Sequence, residues 1–504
     1  GYDDNGNIAS ATLNGKWTGY TYDALGRMTV MDAQSGGKSV VKTTIGYNDP
    51  SSTTATGQVR TWKSGATTYT YAYDARGNIT SVSDGQSTTT YAYDSFDQLV
   101  RENNQAAGKT WTYAYDDGGN IQSKTEYAYT TGSLGAAVRT IPYGYGDASW
   151  SDLLTSIGGQ SLTADEIGNL LSDGTWTYTW QHGRQLAGMS KTGTNIAYGY
   201  DSDGKRITKT VNGTAYNYHY LGDQLVELTW GSNKLHFTYD STGPLSVNCN
   251  GTEYFYVKNA QGDVTGLVNA SGTRVVTYTY DAWGNLLSTS GSMAATLGAQ
   301  NPLRYRGYVY DTETGLYYLQ SRYYNPTWVR FINADDTALS APGKAHWDKN
   351  VFAYCDNNPL NRVDEDGECW DIIIGGIVGG IVSGASSIVN DAIMGRETTV
   401  GSVLMSVGAG FAAGMLTAAF PSGGIHDIMS AGIAVVIAFS SAFGGGSTIL
   451  EALWSAFAAS AETYISSKLN VICSIGETQP ITKGIINLNV STDVEVIASV
   501  GRGV

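Results

Sequence analysis

Charged residues are scarce in this chain of 504 residues, and basic residues are scarcer than acidic ones. Lys and Arg together number 30 against 45 Asp and Glu, which gives a formal net charge of -15. This net negative charge disfavours binding along the phosphate backbone of a nucleic acid, because like charges repel. We therefore expect no nucleic-acid binding by the repeats described below, since such a role would need a local basic patch.

Cysteine is rarer still, with four residues in the whole chain. The four show no C-x-x-C spacing and have no partner histidines. This pattern excludes the spacing of common zinc sites and a dense disulfide framework. We expect neither a metal nor a cofactor.

The amino-terminal residues, Gly1-Tyr2-Asp3-Asp4, contain no methionine, no basic stretch and no apolar signal segment. This opening already lies inside the repeat of the chain. We therefore interpret the sequence as a fragment of a longer protein, with its export signal further upstream.

Tyrosine and glycine are abundant, with 35 and 63 residues, and they recur in a repeat. Its unit reads Tyr-x-Tyr-Asp-x-x-Gly and returns at a spacing of about twenty residues, which is typical of repeat architectures. Clear copies begin at Tyr71, Tyr91, Tyr113, Tyr198 and Tyr278.

Each unit predicts a strand, a tight turn and a second strand. Tyr-x-Tyr places two rings on one face of a strand, and Asp-x-x-Gly fits a type I turn with glycine at positive φ. Asp97 replaces the glycine in one copy, which is tolerable because Asp visits the left-handed region readily. Isolated hairpins are only marginally stable, so the units must stack side by side into a large curled sheet. The fold class is therefore predicted to be mainly β, with the tyrosines packed along the sheet.

Composition changes abruptly after Gly367, because 34 of the 35 tyrosines precede it. The uncharged run from Ile372 to Val389 is long enough to span a bilayer as a helix. Gly376, Gly380 and Gly384 recur within it at four-residue intervals and predict a face for close helix packing. Alternating residues from Ile485 onward predict a short terminal β segment.

The repeats resemble the Tyr-Asp (YD) repeats of Rhs and teneurin-like proteins, which form a hollow β-shell. Residues Leu303 to Ile332 are similar to the Rhs-associated core that closes such shells, and Asn357 to Gly367 to the junction that ends the core. The resemblance implies a spiralling YD-repeat shell over residues 1–300, a core and junction over 301–368, and a variable, apolar and mainly helical region over 369–504.

The resemblance also implies a site for self-cleavage. Rhs-type shells cut their own chain at the junction in an aspartyl-protease manner, which needs two carboxyl groups that share one proton. Asp335 and Asp336 follow the core and match best, and Arg322 could hold or polarise the scissile segment. The junction residues implied by the family pattern are Pro359, Asp364, Gly367 and Glu368.

The sequence departs from the family pattern at three positions. Asn325 stands where many relatives have Asp, and Glu365 and Glu368 replace the usual Pro and Leu of the junction. An amide cannot share a proton, and the added charges would have to be neutralised at the cut site. Self-cleavage therefore has a structural alternative, in which three aspartates cap turns and plug the end of the shell: Asp335, Asp336 and Asp364.

In the resembled family the region beyond the junction is commonly a toxin, but residues 369–504 show little of a nuclease. Their only histidine, His426, lies beside Asp427 in a glycine-rich stretch that is more typical of a turn. The apolar segments could enter a membrane, or they could pack as an ordinary soluble domain or as a cargo within the shell.

We expect a secreted or surface-displayed polymorphic toxin whose shell encloses or presents the variable region in contact-dependent competition between bacteria. Expected partners are a cognate immunity protein and a target-cell membrane or surface glycan. One alternative is a wall-binding or adhesion protein, since aromatic repeats of this length also bind sugars. The other is a self-cleaving shell.

Overall fold

A computed structural model of the protein describes residues 1–13, 15–49, 55–335, 350–367, 371–372, 486–490 and 496–500. The chain divides into two compact units, Gly1–Thr417 and Ala418–Val504. The domain boundaries predicted near residues 300 and 368 stay predictions. The predicted helical region, including Gly376, Gly380 and Gly384, lies outside the described residues.

The first unit begins with a sheet of fourteen antiparallel strands, in which every strand pairs with its neighbours in the chain. Its strands are β1 (Ser10–Leu13), β2 (Lys16–Tyr22), β3 (Met28–Ser35), β4 (Lys38–Tyr47), β5 (Val59–Ser64), β6 (Thr67–Tyr73), β7 (Ile79–Ser83), β8 (Thr88–Tyr93), β9 (Leu99–Asn104), β10 (Lys109–Tyr115), β11 (Ile121–Ala128), β12 (Arg139–Gly144), β13 (Ser156–Ile157) and β14 (Gln160–Ser161).

A second sheet of fourteen strands follows with the same sequential order. Its strands are β15 (Thr163–Ala164), β16 (Leu170–Ser172), β17 (Thr177–Gln181), β18 (Gln185–Lys191), β19 (Thr194–Tyr200), β20 (Arg206–Val211), β21 (Thr214–Leu221), β22 (Gln224–Trp230), β23 (Asn233–Asp240), β24 (Gly243–Cys249), β25 (Thr252–Lys258), β26 (Val264–Asn269), β27 (Arg274–Tyr280) and β28 (Leu286–Ser290). The predicted side-by-side stacking of hairpins is thus confirmed.

The remaining described elements are short. A π-helical turn at Ala294–Gly298 and two 3₁₀ turns at Tyr305–Gly307 and Cys355–Asn357 accompany the small strands of the core. Those strands are β29 (Val309–Asp311), β30 (Leu316–Leu319), β31 (Arg322–Asn325), β32 (Arg330–Phe331), β33 (Arg362–Val363) and β34 (Asp371–Ile372). In the second unit, β35 (Ile486–Val490) pairs antiparallel with β36 (Val496–Val500), where the sequence alternation predicts strands.

The turn of each repeat follows from its Asp-x-x-Gly pattern. In the copy at Asp74, the Gly77 N–H donates to the Asp74 carbonyl at 3.1 Å, and Gly77 has φ +91°. The Asp74 carboxylate accepts the N–H of Asn78 at 2.8 Å, which fixes the turn. Asp97 adopts φ +64° in its copy, as expected. The sheet register shifts by one residue at the second tyrosine, between Ala72 and Tyr73, which is typical of a type I turn followed by a bulge.

A tyrosine hydroxyl group ties several of the repeats to the preceding one. The Tyr73 hydroxyl donates to the Val59 carbonyl at 2.8 Å, fourteen residues earlier. Because the acceptor lies in a strand of the preceding repeat, the second tyrosine joins consecutive hairpins. The same fourteen-residue contact recurs at the following tyrosines: Tyr22, Tyr93, Tyr200 and Tyr239.

Tyr73→Phe is expected to lower the free energy of unfolding by about 1 kcal/mol, the net contribution of one hydrogen bond, because the Val59 carbonyl loses its donor. Urea unfolding measures the change. Tyr220→Phe is the matched control, since the Tyr220 hydroxyl is buried with no hydrogen-bond partner among the described residues. Equal losses in both variants would contradict the role of the hydroxyl.

The two large sheets contact each other through buried side chains. The Trp62 indole N–H donates to the Lys258 carbonyl at 2.9 Å, across 196 residues of chain. Lys16 in the first sheet forms an ion pair with Glu253 in the second at 3.1 Å. A large apolar cluster continues from Leu99 in the first sheet through the second sheet into the core.

The core region, residues 301–367 as far as they are described, docks on the turns of both sheets. Buried tyrosine and asparagine side chains and the backbone N–H of Arg306 make these contacts, and their partners lie in or beside the repeat turns. The contacts are Asn358 with Asn78, Asn357 with Gly119, Arg306 with Asp263, Tyr317 with Gly284 and Tyr324 with Trp283. The core therefore joins both sheets at the end where the repeat turns lie.

Candidate functional site

Arg322 is the centre of the candidate site and opens strand β31. Its side chain is buried, and its guanidinium carbon lies 3.7 Å from the centre of the Phe331 ring. One terminal nitrogen donates to the Val351 carbonyl at 3.1 Å, and Nε donates to the carbonyl of Gly367. Arg322 thus holds the junction segment against the core.

Two carboxylates share the other terminal nitrogen of Arg322. The Oδ2 atom of Asp335 lies 3.3 Å from this nitrogen, and that of Asp364 lies 3.4 Å from it. The structure therefore brings together two of the predicted site residues, Arg322 and Asp335. The second carboxylate at Arg322 is that of Asp364, which was predicted as a junction residue. The other predicted catalytic aspartate, Asp336, lies outside the described residues.

Asp364 is almost fully buried, with 2% of its surface exposed. Burial raises the pKa of its carboxyl to about 7, although Arg322 acts in the opposite direction. Its Oδ1 atom accepts the N–H of Gly367 at 2.8 Å. At neutral pH this group is therefore partly protonated, unlike an ordinary aspartate.

The end of the junction is tightly fitted. Gly367 adopts φ +81°, and a Cβ atom there would lie 2.6 Å from both the Leu319 carbonyl oxygen and the Ser321 hydroxyl. Ser321 also donates its backbone N–H and its hydroxyl to the Asp366 carbonyl, at 3.0 and 2.7 Å. Only glycine fits at position 367 without displacement of these neighbours.

Other predicted positions serve mainly as structural contacts. The Pro359 carbonyl accepts hydrogen bonds from Arg306 and from the Tyr305 hydroxyl, the latter at 3.4 Å. Asn325 accepts the N–H groups of Thr327 and Trp328, at 3.0 and 3.2 Å, and so caps a turn. Glu368 lies outside the described residues.

The contacts of the asparagines in the Asn-Asn-Pro-Leu-Asn segment were not predicted from the sequence. The Asn361 side chain accepts the N–H of Ile79 at 2.9 Å and donates to the Tyr93 hydroxyl at 3.2 Å. Asn357 precedes it in a turn where Cys355, Asp356 and Asn357 all have positive φ. The dense asparagine content was the available signal, because asparagine adopts the left-handed region and offers both a donor and an acceptor.

Within the described part of the chain, no group of three or more His, Cys, Asp or Glu residues could hold a metal ion. None of the described helical turns has the length and apolar character required to cross a membrane.

Asp364→Asn is expected to remove part of the pH dependence of stability. The folded-state pKa of Asp364, about 7, lies above its ordinary value of 3.8, so folding favours the protonated form. Its contribution is complete below about pH 4 and is lost as the pH rises through 7. Between these limits the wild-type free energy of unfolding should fall more steeply than that of the variant, by up to about 1.4 kcal/mol per pH unit. Urea unfolding of both proteins over this pH range measures the difference. Parallel pH profiles of the free energy of unfolding would contradict the prediction.

Sequential hairpins, turns anchored by Asp and Gly, and a core docked on those turns define a YD-repeat β-shell protein. The family model of the teneurin YD-shell matches residues 10–142 and 86–360. Since these matches span more than half of the sequence, the chain belongs to the teneurin YD-shell family. The resemblance stated from the sequence is confirmed.

Curated relatives include two tRNA nucleases and a deaminase toxin. The chain is 42% identical over 232 residues to the tRNA3(Ser)-specific nuclease WapA of Bacillus spizizenii, covering 44% of this chain and 10% of the relative. It is 39% identical over 232 residues, with the same coverage, to the tRNA nuclease WapA of Bacillus subtilis. It is also 35% identical over 96 residues to the double-stranded DNA deaminase toxin A of Burkholderia cenocepacia, covering 19% of this chain and 6% of that protein. The chain thus spans about a tenth of the length of the WapA relatives.

A solved structure with a similar fold is the complex TcdB2-TccC3-Cdc42. It is 18% identical, with a TM-score of 0.50, and the match covers 73% of this chain and 21% of that chain. At this identity the likeness concerns the fold alone. It supports a mainly β fold built from two large antiparallel sheets.

Proposed function

We propose that this chain is the closing part of the shell of a polymorphic toxin, and that the shell encloses the region beyond Gly367 until delivery. The single observation that carries this proposal is the docking of the core on the repeat turns of both sheets. The docked core holds Gly367 against the buried Arg322 side chain, which donates to the Gly367 carbonyl. The tyrosine-rich part of the sequence ends at the same position.

The relatives support a common shell with variable effectors. The similar proteins are named as tRNA nucleases in two cases and as a DNA deaminase toxin in another, although all share part of this sequence. Function then depends on the attached region, and the shell supplies containment. For this chain we propose secretion or display at the cell surface, a cognate immunity protein, and a target-cell membrane or surface glycan as partners.

Protection from trypsin tests the enclosure. The region beyond Gly367 contains four tryptic sites, at Arg396, Lys468, Lys483 and Arg502. We expect cleavage at these sites to be slow in the intact chain. The matched control carries Asn357→Ala, Asn358→Ala and Asn361→Ala, which remove contacts between the core and the turns, and its tail should be cut faster. Equally fast cleavage in both proteins would overturn enclosure.

The effector activity of residues 369–504 requires a separate test. Expression of this segment in bacteria, with growth and membrane potential followed together, distinguishes the proposed membrane target from the alternatives. Prompt depolarisation supports action on the membrane, which the apolar composition of the segment favours. Growth at the rate of cells that carry an empty vector would contradict a toxic tail.

Self-processing is a second candidate function, favoured by the two carboxylates that share one Arg322 nitrogen. Asp335 could activate a water molecule, Arg322 could polarise the Gly367 carbonyl, and a protonated Asp364 could protonate the departing amide nitrogen. The cut would follow Gly367. The structural alternative remains that the same aspartates brace the junction, as the bond from Gly367 to Asp364 also allows.

A denaturing gel separates the two alternatives. Self-processing predicts a fragment of about residues 368–504 in the wild type and a single intact band for Asp364→Asn and Asp335→Asn. Asp117→Asn, at an exposed turn position, is the control and should behave as the wild type. A single intact band in the wild type would contradict self-processing and would leave enclosure to be decided by the trypsin assay.

A further inference from the structure

Arg330 is a buried cation of the core, and it lies in β32 with 4% of its surface exposed. Its two terminal nitrogens donate to the Tyr145 hydroxyl at 2.8 Å and to the Asp152 carbonyl at 2.9 Å. Both acceptors are uncharged, and the Asp152 carboxylate accepts the amide of Asn120 at 3.0 Å. Among the residues that the structure describes, no carboxylate lies within ion-pair distance of Arg330.

The charge of Arg330 is less well compensated than that of other buried arginines. Arg206 binds the Asp311 carboxylate at 2.6 Å, and Arg304 donates to three carbonyl oxygens near the end of the π-helical turn. Arg330 has one carbonyl and one hydroxyl. Burial lowers the pKa of Arg330, and the neighbouring tyrosines and Asp152 offset this only in part. Since a guanidinium stays charged even so, a counterion at Arg330 would be strongly stabilising.

A small cavity adjoins Arg330 beside the break between the two large sheets, where β14 ends at Ser161 and β15 begins at Thr163. Its volume is about 20 Å³. This is room for one particle of about the size of a water molecule. Among the described residues that line the cavity, Arg330 alone is charged. The others are leucine, isoleucine, alanine, glycine, phenylalanine and tryptophan, and they include Leu154, Ala164 and Phe352.

The chemistry of the walls favours an anion over a water molecule. A buried water molecule typically makes about three hydrogen bonds, and it donates as well as accepts. The described lining side chains offer no acceptor, because all are hydrocarbon except Arg330 and Trp328, whose N–H groups only donate. A monatomic anion only accepts. Polyatomic anions such as sulfate and gluconate are too large for the cavity.

We propose that this cavity binds a single chloride ion as the counterion of Arg330. The guanidinium has five N–H donors, of which the bonds to Tyr145 and Asp152 use two, so that donors remain for the ion. Apolar walls exclude water, and the attraction between the two charges is therefore stronger than at the surface.

The ion would stabilise the place where both large sheets meet the core. Arg330 pairs with Asn325 of β31 and forms a bridge with Ala353, so the core fixes its backbone. Its acceptor Tyr145 directly follows β12 of the first sheet, whereas Ala164 and Leu170 of the cavity wall belong to the second sheet. This inference does not depend on the proposed effector, on enclosure or on processing at the junction.

Chloride-dependent unfolding of the full chain tests the proposal. Urea unfolding is measured while sodium chloride replaces sodium gluconate at constant ionic strength. Above the dissociation constant, each tenfold rise in chloride should raise the ratio of folded to unfolded chain by about tenfold, since only the folded chain binds the ion. Sodium bromide should act in the same way, because bromide is also monatomic. An unchanged ratio over the whole series would overturn the proposal.

Two variants assign the effect to the cavity. Arg330→Gln removes the charge, and Ala164→Leu fills the cavity but keeps Arg330, so both should lose the dependence on chloride. Arg139→Gln removes the same charge from an exposed position and should keep the wild-type response. If Arg330→Gln does not fold, Ala164→Leu decides. A wild-type response in Ala164→Leu, or a lost response in Arg139→Gln, would contradict binding in the cavity.

Bromide locates the ion directly. A crystal of the full chain soaked in sodium bromide should show an anomalous scattering peak within hydrogen-bond distance of the Arg330 nitrogens. The same soak of Ala164→Leu should show none at this position. Anomalous peaks confined to the protein surface, or a water molecule in the cavity, would overturn the proposal.

Discussion

Replacement of Asp311 by alanine is expected to lower the free energy of unfolding by about 3 to 5 kcal/mol, the cost of leaving a buried charge without its partner. Asp311 lies in β29 and is fully buried. It accepts two hydrogen bonds from Arg206, at 2.6 and 3.2 Å, and one from Lys209 at 3.0 Å. Burial alone would raise the pKa of Asp311, but Arg206 and Lys209 hold it below its ordinary value.

The loss is large because Arg206 has no exposed surface. Its guanidinium lies among tyrosine rings, with the carbon 4.4 Å from the Tyr318 ring centre and 4.8 Å from that of Tyr218. These rings attract a cation but cannot neutralise it. Without Asp311 the core would lose its main charged attachment to β20.

Glu313→Gln is the matched control for Asp311→Ala. Glu313 contacts the same Lys209 at 2.8 Å, but its side chain is partly exposed, so a loss below about 1 kcal/mol is expected. Urea unfolding of both variants and the wild type measures the difference. A loss for Asp311→Ala no greater than that of the control would contradict the attachment.

Gly284→Ala is expected to lower the free energy of unfolding by about 3 kcal/mol, because a left-handed backbone and an overpacked neighbour act together. Gly284 ends the turn that begins at Asp281 and adopts φ +82°. An added Cβ atom would meet the ring of Tyr305, which is buried in the core. The ring is held by its hydroxyl bond to the Ala282 carbonyl at 3.2 Å and cannot move aside easily.

Gly26→Ala separates the two causes. Gly26 holds the same turn position in another repeat, with φ +76°, but an added Cβ atom would have no described atom within 4 Å. Only the backbone cost remains there, about 1 kcal/mol. Thermal or urea unfolding of the two variants gives the contribution of the Tyr305 contact as their difference. Equal destabilisation would contradict a close fit of the core at this turn.

The repeat could be predicted from sequence because its determinants are local. An Asp at the first turn position and a Gly at the fourth specify the turn, and the paired tyrosines specify the buried face, as at Asp74 and Gly77. Even the departure at Asp97 was predictable, since it depends only on backbone preference. The hydroxyl contacts were not predicted, although they also follow the repeat.

The site was less predictable because its residues come from separate parts of the chain. Arg322 and Asp335 belong to adjacent core segments, so their proximity could be predicted from the sequence. Asp364 reaches the same nitrogen only after the junction has folded back over the core, and no periodicity encodes that return. The attachment of Asp311 to Arg206, across 105 residues, depends on tertiary structure in the same way.

The buried ion pair at Asp281 could not be predicted for a related reason. Asp281 reads as an ordinary turn residue in the repeat, and its cap to Asn285 confirms that role. What distinguishes it is the arrival of Glu102 and Lys124 from strands of the other sheet. A residue that satisfies a local rule can therefore also take part in a long-range contact.

Strand order equals chain order throughout both large sheets. Tension applied to one end of such a sheet would load the hydrogen bonds of a single strand pair at a time, so that the sheet could be peeled apart in small steps. The docked core and the buried ion pair between Lys124 and Asp281 would interrupt the peeling at defined points. Single-molecule extension should therefore record a series of short, weak ruptures, separated by a few strong ones.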